Sequence, residues 1–119
     1  MDLQIGRPIV IESMRLALVA ASELHIEGTL NTSSAQTQTA RHLGALHDQI
    51  VAEKLSSFTV DLRRLAFVNS SAIRLFVDWI ARANSARYKL VFMTDRSITW
   101  HRLSFSVLKS LAPSSVEVV

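Results

Sequence analysis

The sequence predicts one α/β domain spanning residues 1–119, built on a mixed, mostly parallel sheet of four to five strands. Three observations carry that expectation. The length, 119 residues, suits one ordinary domain. From residue 31 onward, short apolar runs alternate with one-sided helical stripes, and strands alternating with helices imply right-handed crossovers and parallel pairing. Before residue 31 the apolar residues recur with a period of two, which reads as a hairpin and makes the sheet mixed.

In chain order, residues 1–13 hold Ile9-Val10-Ile11 after Pro8 and read as an extra edge strand or a loose arm. Met14 to Gly28 places Leu16, Leu18, Leu24 and Ile26 on one face, with Ala21-Ser22 as the turn. Gly28-Thr29-Leu30-Asn31 ends that hairpin. Asn31, Thr32 or Ser33 can cap the next helix, whose stripe is Thr39, Leu43, Leu46 and Ile50. Phe58 to Leu62 is a strand. Ser71 to Asn84 is a helix with Ile73, Phe76, Val77 and Ile80 on its core face, and Trp79 beside them is read as packing. Tyr88 to Met93 is a strand. Ile98 to Leu111 is a helix with Trp100, Leu103, Val107 and Leu108 inward. Pro113 stops it, and Val116 to Val119 is a last short strand.

Composition narrows the function. Hydrophobic residues make up 49% of the chain, enough for a real core, yet no apolar run approaches the roughly 18 residues of a membrane span. The opening residues lack the pattern of a secretory signal, so a cytoplasmic location is expected. There are no cysteines, which excludes disulfides and thiolate chemistry. Lys and Arg number 13 against 10 Asp and Glu. The arginines are scattered, without the clustered footprint of a nucleic-acid binder. His42 and His47 are five apart, off the helical spacing of a metal pair. With three glycines there is no phosphate-binding loop, and no nucleophile is paired with a base. No enzyme, no metal and no cofactor are expected.

The most informative stretch runs from Val60 to Ile73. A buried strand ends in Asp61, Leu65 and Phe67-Val68 follow, and Asn69-Ser70-Ser71 leads into a helix. That step sets two hydroxyls at a helix N-terminus, where unpaired N–H groups and the helix dipole favour a bound or covalent anion. Ser70 or Asn69 can equally serve as an ordinary cap.

Val60, Asp61, Leu62, Leu65, Phe67, Val68, Ser70 and Ser71 stand in the register of the STAS domain, and Gly28-Thr29-Leu30 is similar to that family's Gly-x-Leu. The chain resembles its stand-alone bacterial members, the anti-sigma factor antagonists, over residues 14–119. The resemblance implies a mixed sheet with helices packed mainly on one side. It implies a non-catalytic signalling module of transcription regulation that binds a protein partner. In that family the first serine of the pair is phosphorylated by a kinase that is itself the anti-sigma factor, and a phosphatase resets it. By motif the phosphoacceptor here is Ser70, with Asn31, Asn69, Ser71, Arg74 and Asp78 as partner-binding residues. Three positions depart from the family pattern. Asn69 and Asn31 stand where aspartates are usual, and Arg74 stands where a small residue is common. Two carboxylates lost and one guanidinium gained shift the local charge by about three units toward an anion.

Two other readings use the same residues: a constitutive scaffold that is never phosphorylated, and a small ligand or lipid carrier using an apolar groove. On the last helix, Ile98 and Phe105 are read as lying opposite the core stripe. An apolar strip there would support a weak homodimer.

Overall fold

The computed structural model describes residues 3–119, without the side chain of Leu103. Its strands are β1 (Ile9–Ile11), β2 (Met14–Ala20), β3 (Glu23–Leu30), β4 (Ser57–Asp61), β5 (Leu65–Val68), β6 (Lys89–Met93) and β7 (Val116–Val118). The helices are α1 (Ser33–Ala52), α2 (Ile73–Ala86) and α3 (Thr99–Leu111). All seven strands form one mixed sheet in the order β1-β2-β3-β4-β6-β7, with β5 also pairing to β3. The strands β1 to β3 are antiparallel neighbours, and every later pairing is parallel.

Two strands beyond the expected four to five have separate causes. The first is β1: of the residue 1–13 arm, Ile9–Ile11 pairs with Met14–Leu16, and residues 1 and 2 lie outside the described residues. The second is β5, which continues β4 after a two-arginine detour. Asp61 makes that detour by accepting the Arg63 backbone N–H at 3.0 Å and its guanidinium at 2.7 to 3.2 Å. This bonding from Arg63 holds the Asp61 carboxyl below the usual carboxylate range, against the opposing effect of burial. The acid at the strand end therefore serves as a chain-turning device.

The hairpin forms as its period-two pattern predicts. Leu16, Leu18, Leu24 and Ile26 are buried on one face, while Arg15, His25 and Glu27 point to the other. The helix α1 begins where Thr32 accepts from the Ala35 N–H at 3.1 Å. It buries Ala35, Thr39, Leu43, Leu46 and Ile50, the predicted stripe plus one residue. The helix α2 starts at Ile73, two residues later than expected, and buries Phe76, Trp79, Ile80 and Ala83. Trp79 is thus core, as its flanking position suggested.

The phase of α3 differs from the sequence reading. Its buried line is His101, Phe105, Leu108 and, just past the helix, Ala112, spaced four, three and four residues apart. Phe105 is fully buried, 5.8 Å from the Phe76 ring and 5.5 Å from the Phe92 ring. Val107, assigned inward, is 61% exposed. Ile98 precedes the helix and is half-buried. The Ile98–Phe105 strip therefore does not exist, and the homodimer built on it loses its basis. Leu103, also read as inward, has a side chain outside the described residues.

The difference has a physical origin. His101 looks like a surface residue by type, but its ring is satisfied inside. Nδ1 accepts from the Asp95 N–H at 3.1 Å, so Nε2 carries the hydrogen and donates to the Leu65 carbonyl at 2.7 Å. Trp100 donates from Nε1 to the Ala66 carbonyl at 2.9 Å. These two side chains tie α3 to β5. All three helices bury side chains in one core cluster. The other sheet face has charged residues, and Arg15, His25, Glu27, Asp61, Arg63 and Arg64 line a depression there of about 470 Å³.

Candidate functional site

Of the predicted partner residues, Asn31, Asn69 and Ser71 meet at the C-terminal ends of β3 and β5 with Asn69 as their hub, while Arg74 and Asp78 lie further along on α2 and do not join that network. The Asn69 N–H donates to the Leu30 carbonyl at 3.1 Å, which fixes the end of β5 against β3. Its side-chain Oδ1 accepts from the Ala72 N–H at 2.9 Å, from Gln36 Nε2 at 3.0 Å and from the Ser71 hydroxyl at 3.1 Å. Its Nδ2 donates to the Asn31 carbonyl at 3.2 Å. Asn69, not Ser70, thus supplies the side chain that closes the turn into α2. An aspartate could accept these bonds but could not donate to Asn31. The departure from the family pattern therefore has a structural use.

Gln36 on α1 completes the cluster, donating to both Asn69 and the Ser71 hydroxyl, the latter at 3.2 Å. Sequence reasoning missed it. It lies in a run of Ser, Thr and Gln residues with nothing to distinguish it, and its partners are 33 and 35 positions away.

The two serines are not equivalent. The Ser71 hydroxyl accepts from Gln36 and donates to Asn69. Ser70 is exposed, and among the described residues its hydroxyl makes no hydrogen bond. Both sit beside the N-terminus of α2, whose first turn carries no acidic residue. The positive end of the helix dipole is thus uncompensated there. Arg74, on the first turn, is exposed and forms no ion pair among the described residues. Asp78, one turn further, is also exposed and forms no ion pair with Arg74 or Arg82. Phe67, three residues before Ser70, is 48% exposed. It is the aromatic among the exposed large apolar residues, and an apolar motif position gave no sign of that.

The cleft between α1 and α2 beside this turn is lined by Leu43, Gly44, Leu75, Asp78, Trp79 and Arg82 and holds only about 50 Å³. Small-molecule sites usually run to several hundred Å³. This groove does not fit a lipid. Among the described residues no group of three or more His, Asp or Glu could hold a metal ion, and no helix is long and apolar enough to cross a membrane.

The cluster makes a direct stability prediction. Asn69→Ala removes the turn closure and three side-chain tethers at once. It is expected to cost about 2 kcal/mol, at the upper end for a lost cap. Urea unfolding checks this, and a cost below about 0.5 kcal/mol, within the range of neutral surface changes, would mean the hub does not hold the turn.

No protein-family model matches the sequence, and no curated protein matches it. Solved structures do match. One is the anti-sigma factor antagonist SpoIIAA in its unphosphorylated form, with a TM-score of 0.57 at 13% identity, over 89% of this chain and 86% of that one. Another is the Bacillus cell fate determinant SpoIIAA in its phosphorylated form, with a TM-score of 0.57 at 15% identity, over 89% and 90% of the two chains. At these identities the likeness is one of architecture, and it extends over nearly all of both molecules. The chain therefore has the fold of the anti-sigma factor antagonist SpoIIAA, the STAS fold.

Proposed function

We propose that this chain is a non-catalytic regulatory module that binds a protein partner and is switched by phosphorylation of Ser70. The observation that carries this reading is the asymmetry of the serine pair: Ser71 is held by two hydrogen bonds, and Ser70 presents an exposed, unengaged hydroxyl. The SpoIIAA fold and the existence of that protein in unphosphorylated and phosphorylated forms support it. The partner would be an anti-sigma factor that is also a serine kinase, and a phosphatase would reset the switch.

The chemistry asks little of this chain. Ser70 Oγ bonds to the γ-phosphorus of the kinase's ATP, ADP leaves, and the hydroxyl proton passes to a base of the kinase. The product adds about two negative charges to the turn. The α2 N-terminus and Arg74 favour those charges locally. The contact face is formed by Asn31, Asn69, Ser71, Arg74 and Asp78 around the acceptor. With Asn31 and Asn69 neutral, release upon phosphorylation comes from the bulk and hydration of the phosphate and from any carboxylates the partner presents.

Phosphosite mapping on protein from its native cell is expected to find the modification at Ser70 and none at Ser71. Modification only at Ser71, or none under any growth condition, sinks the switch. The co-purified partner should bind Ser70→Ala as well as wild type and Ser70→Asp more weakly. Equal binding of all three would leave a constitutive scaffold as the better account.

A further inference from the structure

A second cluster lies along the α1–α2 seam, away from the Ser70 turn. Tyr88, between α2 and β6, is 3% exposed. Its hydroxyl meets Trp79 Nε1 of α2 at 2.8 Å and His47 Nδ1 of α1 at 2.7 Å. The indole N–H can only donate, so the Tyr88 oxygen accepts there. Among the described residues the phenol hydrogen has His47 Nδ1 as its acceptor, and Nδ1 takes it only while it carries no proton. Helix α1, helix α2 and the link into β6 are thus joined by a chain with one direction, Trp79 to Tyr88 to His47. The His47 and Tyr88 rings also pack at 5.6 Å.

We propose that this chain is a proton-operated latch, holding α1 against α2 and β6 while His47 Nδ1 is unprotonated and releasing it when the imidazole takes up a proton. A protonated Nδ1 turns a hydrogen toward the phenol, whose own hydrogen is then left without an acceptor in a buried place. Leaving a buried donor unsatisfied costs more than the bond itself is worth.

The surroundings of His47 favour the unprotonated ring. Burial lowers its pKa first, and the Arg82 guanidinium on α2 lowers it further. Asp48, the neighbouring residue on α1, opposes them. Burial pushes the Tyr88 phenol up to about 12, so it stays a donor across the ordinary range. With its folded value below the unfolded one, His47 leaves stability intact above about pH 6.5. Stability is lost as pH falls through the folded value. Release would loosen α1, whose first turns carry the Gln36 that braces Asn69 and Ser71.

Amide-exchange protection factors for residues 46–52 of α1, measured at pH 7.5 and 5.0, test the latch. Wild type is expected to lose about fivefold protection there on acidification, the worth of one hydrogen bond, with a smaller change in α3. Tyr88→Phe should already show the lowered protection at pH 7.5 and change little on acidification. His47→Asn keeps an acceptor near the Nδ1 position without a titrating ring and should hold its protection at both pH values. An unchanged wild type overturns the latch. So does an acid-dependent loss of the same size in Tyr88→Phe. Should Tyr88→Phe fail to fold, by far-UV circular dichroism, His47→Asn decides: the same acid loss in that variant overturns the latch, and its absence supports it.

Discussion

Replacing Phe105 with alanine is expected to destabilise the domain by about 4 kcal/mol, in the range for a fully buried aromatic cut back to a methyl. The ring touches the centre of the core. It meets Phe76 at 5.8 Å in an edge arrangement, Phe92 at 5.5 Å and His101 at 5.9 Å. Removing it leaves a cavity bounded by the rings of Phe76, Phe92 and Trp100 and by a histidine whose bonds to Asp95 and Leu65 depend on α3 staying in place. Collapse of that cavity would strain those bonds, so relaxation can recover little. A shift in the urea midpoint at constant slope would report the loss. A cost below about 1 kcal/mol, typical of an average substitution, would put the ring outside the core. Val107→Ala is the control on the same helix. At 61% exposure it should stay within about 0.5 kcal/mol of wild type.

Gly28→Ala is the second change of this size. Gly28 has φ of +96°, and a Cβ added to it would lie 2.1 Å from the Ser13 carbonyl oxygen. That oxygen accepts the Thr29 N–H at 3.0 Å, and the Gly28 N–H donates to the Arg64 carbonyl at 3.0 Å. The methyl therefore meets backbone on a segment pinned from both sides, where β2, β3 and the start of β5 join. Left-handed geometry alone costs an alanine about 1–2 kcal/mol. Displacing the hairpin adds to this, and a total of about 3 kcal/mol or more is expected, in the severe tail for single substitutions. Gly6→Ala separates the two contributions. Gly6 also has positive φ, +80°, but nothing lies within 4 Å of the place its methyl would take. It should show the conformational part only. Equal losses at the two sites would mean that the Ser13 contact is relieved at no cost.

Much of this protein was legible along the chain because local periodicity and burial agreed. The α1 stripe of Thr39, Leu43, Leu46 and Ile50 is buried as read, because each residue repeats the helical spacing and Thr39 returns its hydroxyl to the Ala35 carbonyl at 2.7 Å. The hairpin followed from its period of two, and the β-α alternation gave the mixed sheet. The placing of Ser70 and Ser71 ahead of α2 was also local: a turn, two hydroxyls, then an amphipathic run.

What the sequence could not decide depended on partners far away in it. The phase of α3 turned on His101, a polar residue that is core only because Asp95 and Leu65 satisfy both ring nitrogens. Trp100 and Val107 gave a competing apolar stripe, and nothing local ranks the two. β5 was invisible because four residues carry little periodic signal, and its pairing is supplied by β3, nearly 40 positions earlier. The roles within Asn69-Ser70-Ser71 were decided by Gln36 and Asn31 on another part of the chain. They engage Asn69 and Ser71 and leave Ser70 open. The sequence determined which residues stand at this turn. Only the tertiary structure decided which hydroxyl is free, because a hydrogen bond is settled by the atoms within about 3 Å and not by the neighbours in the chain.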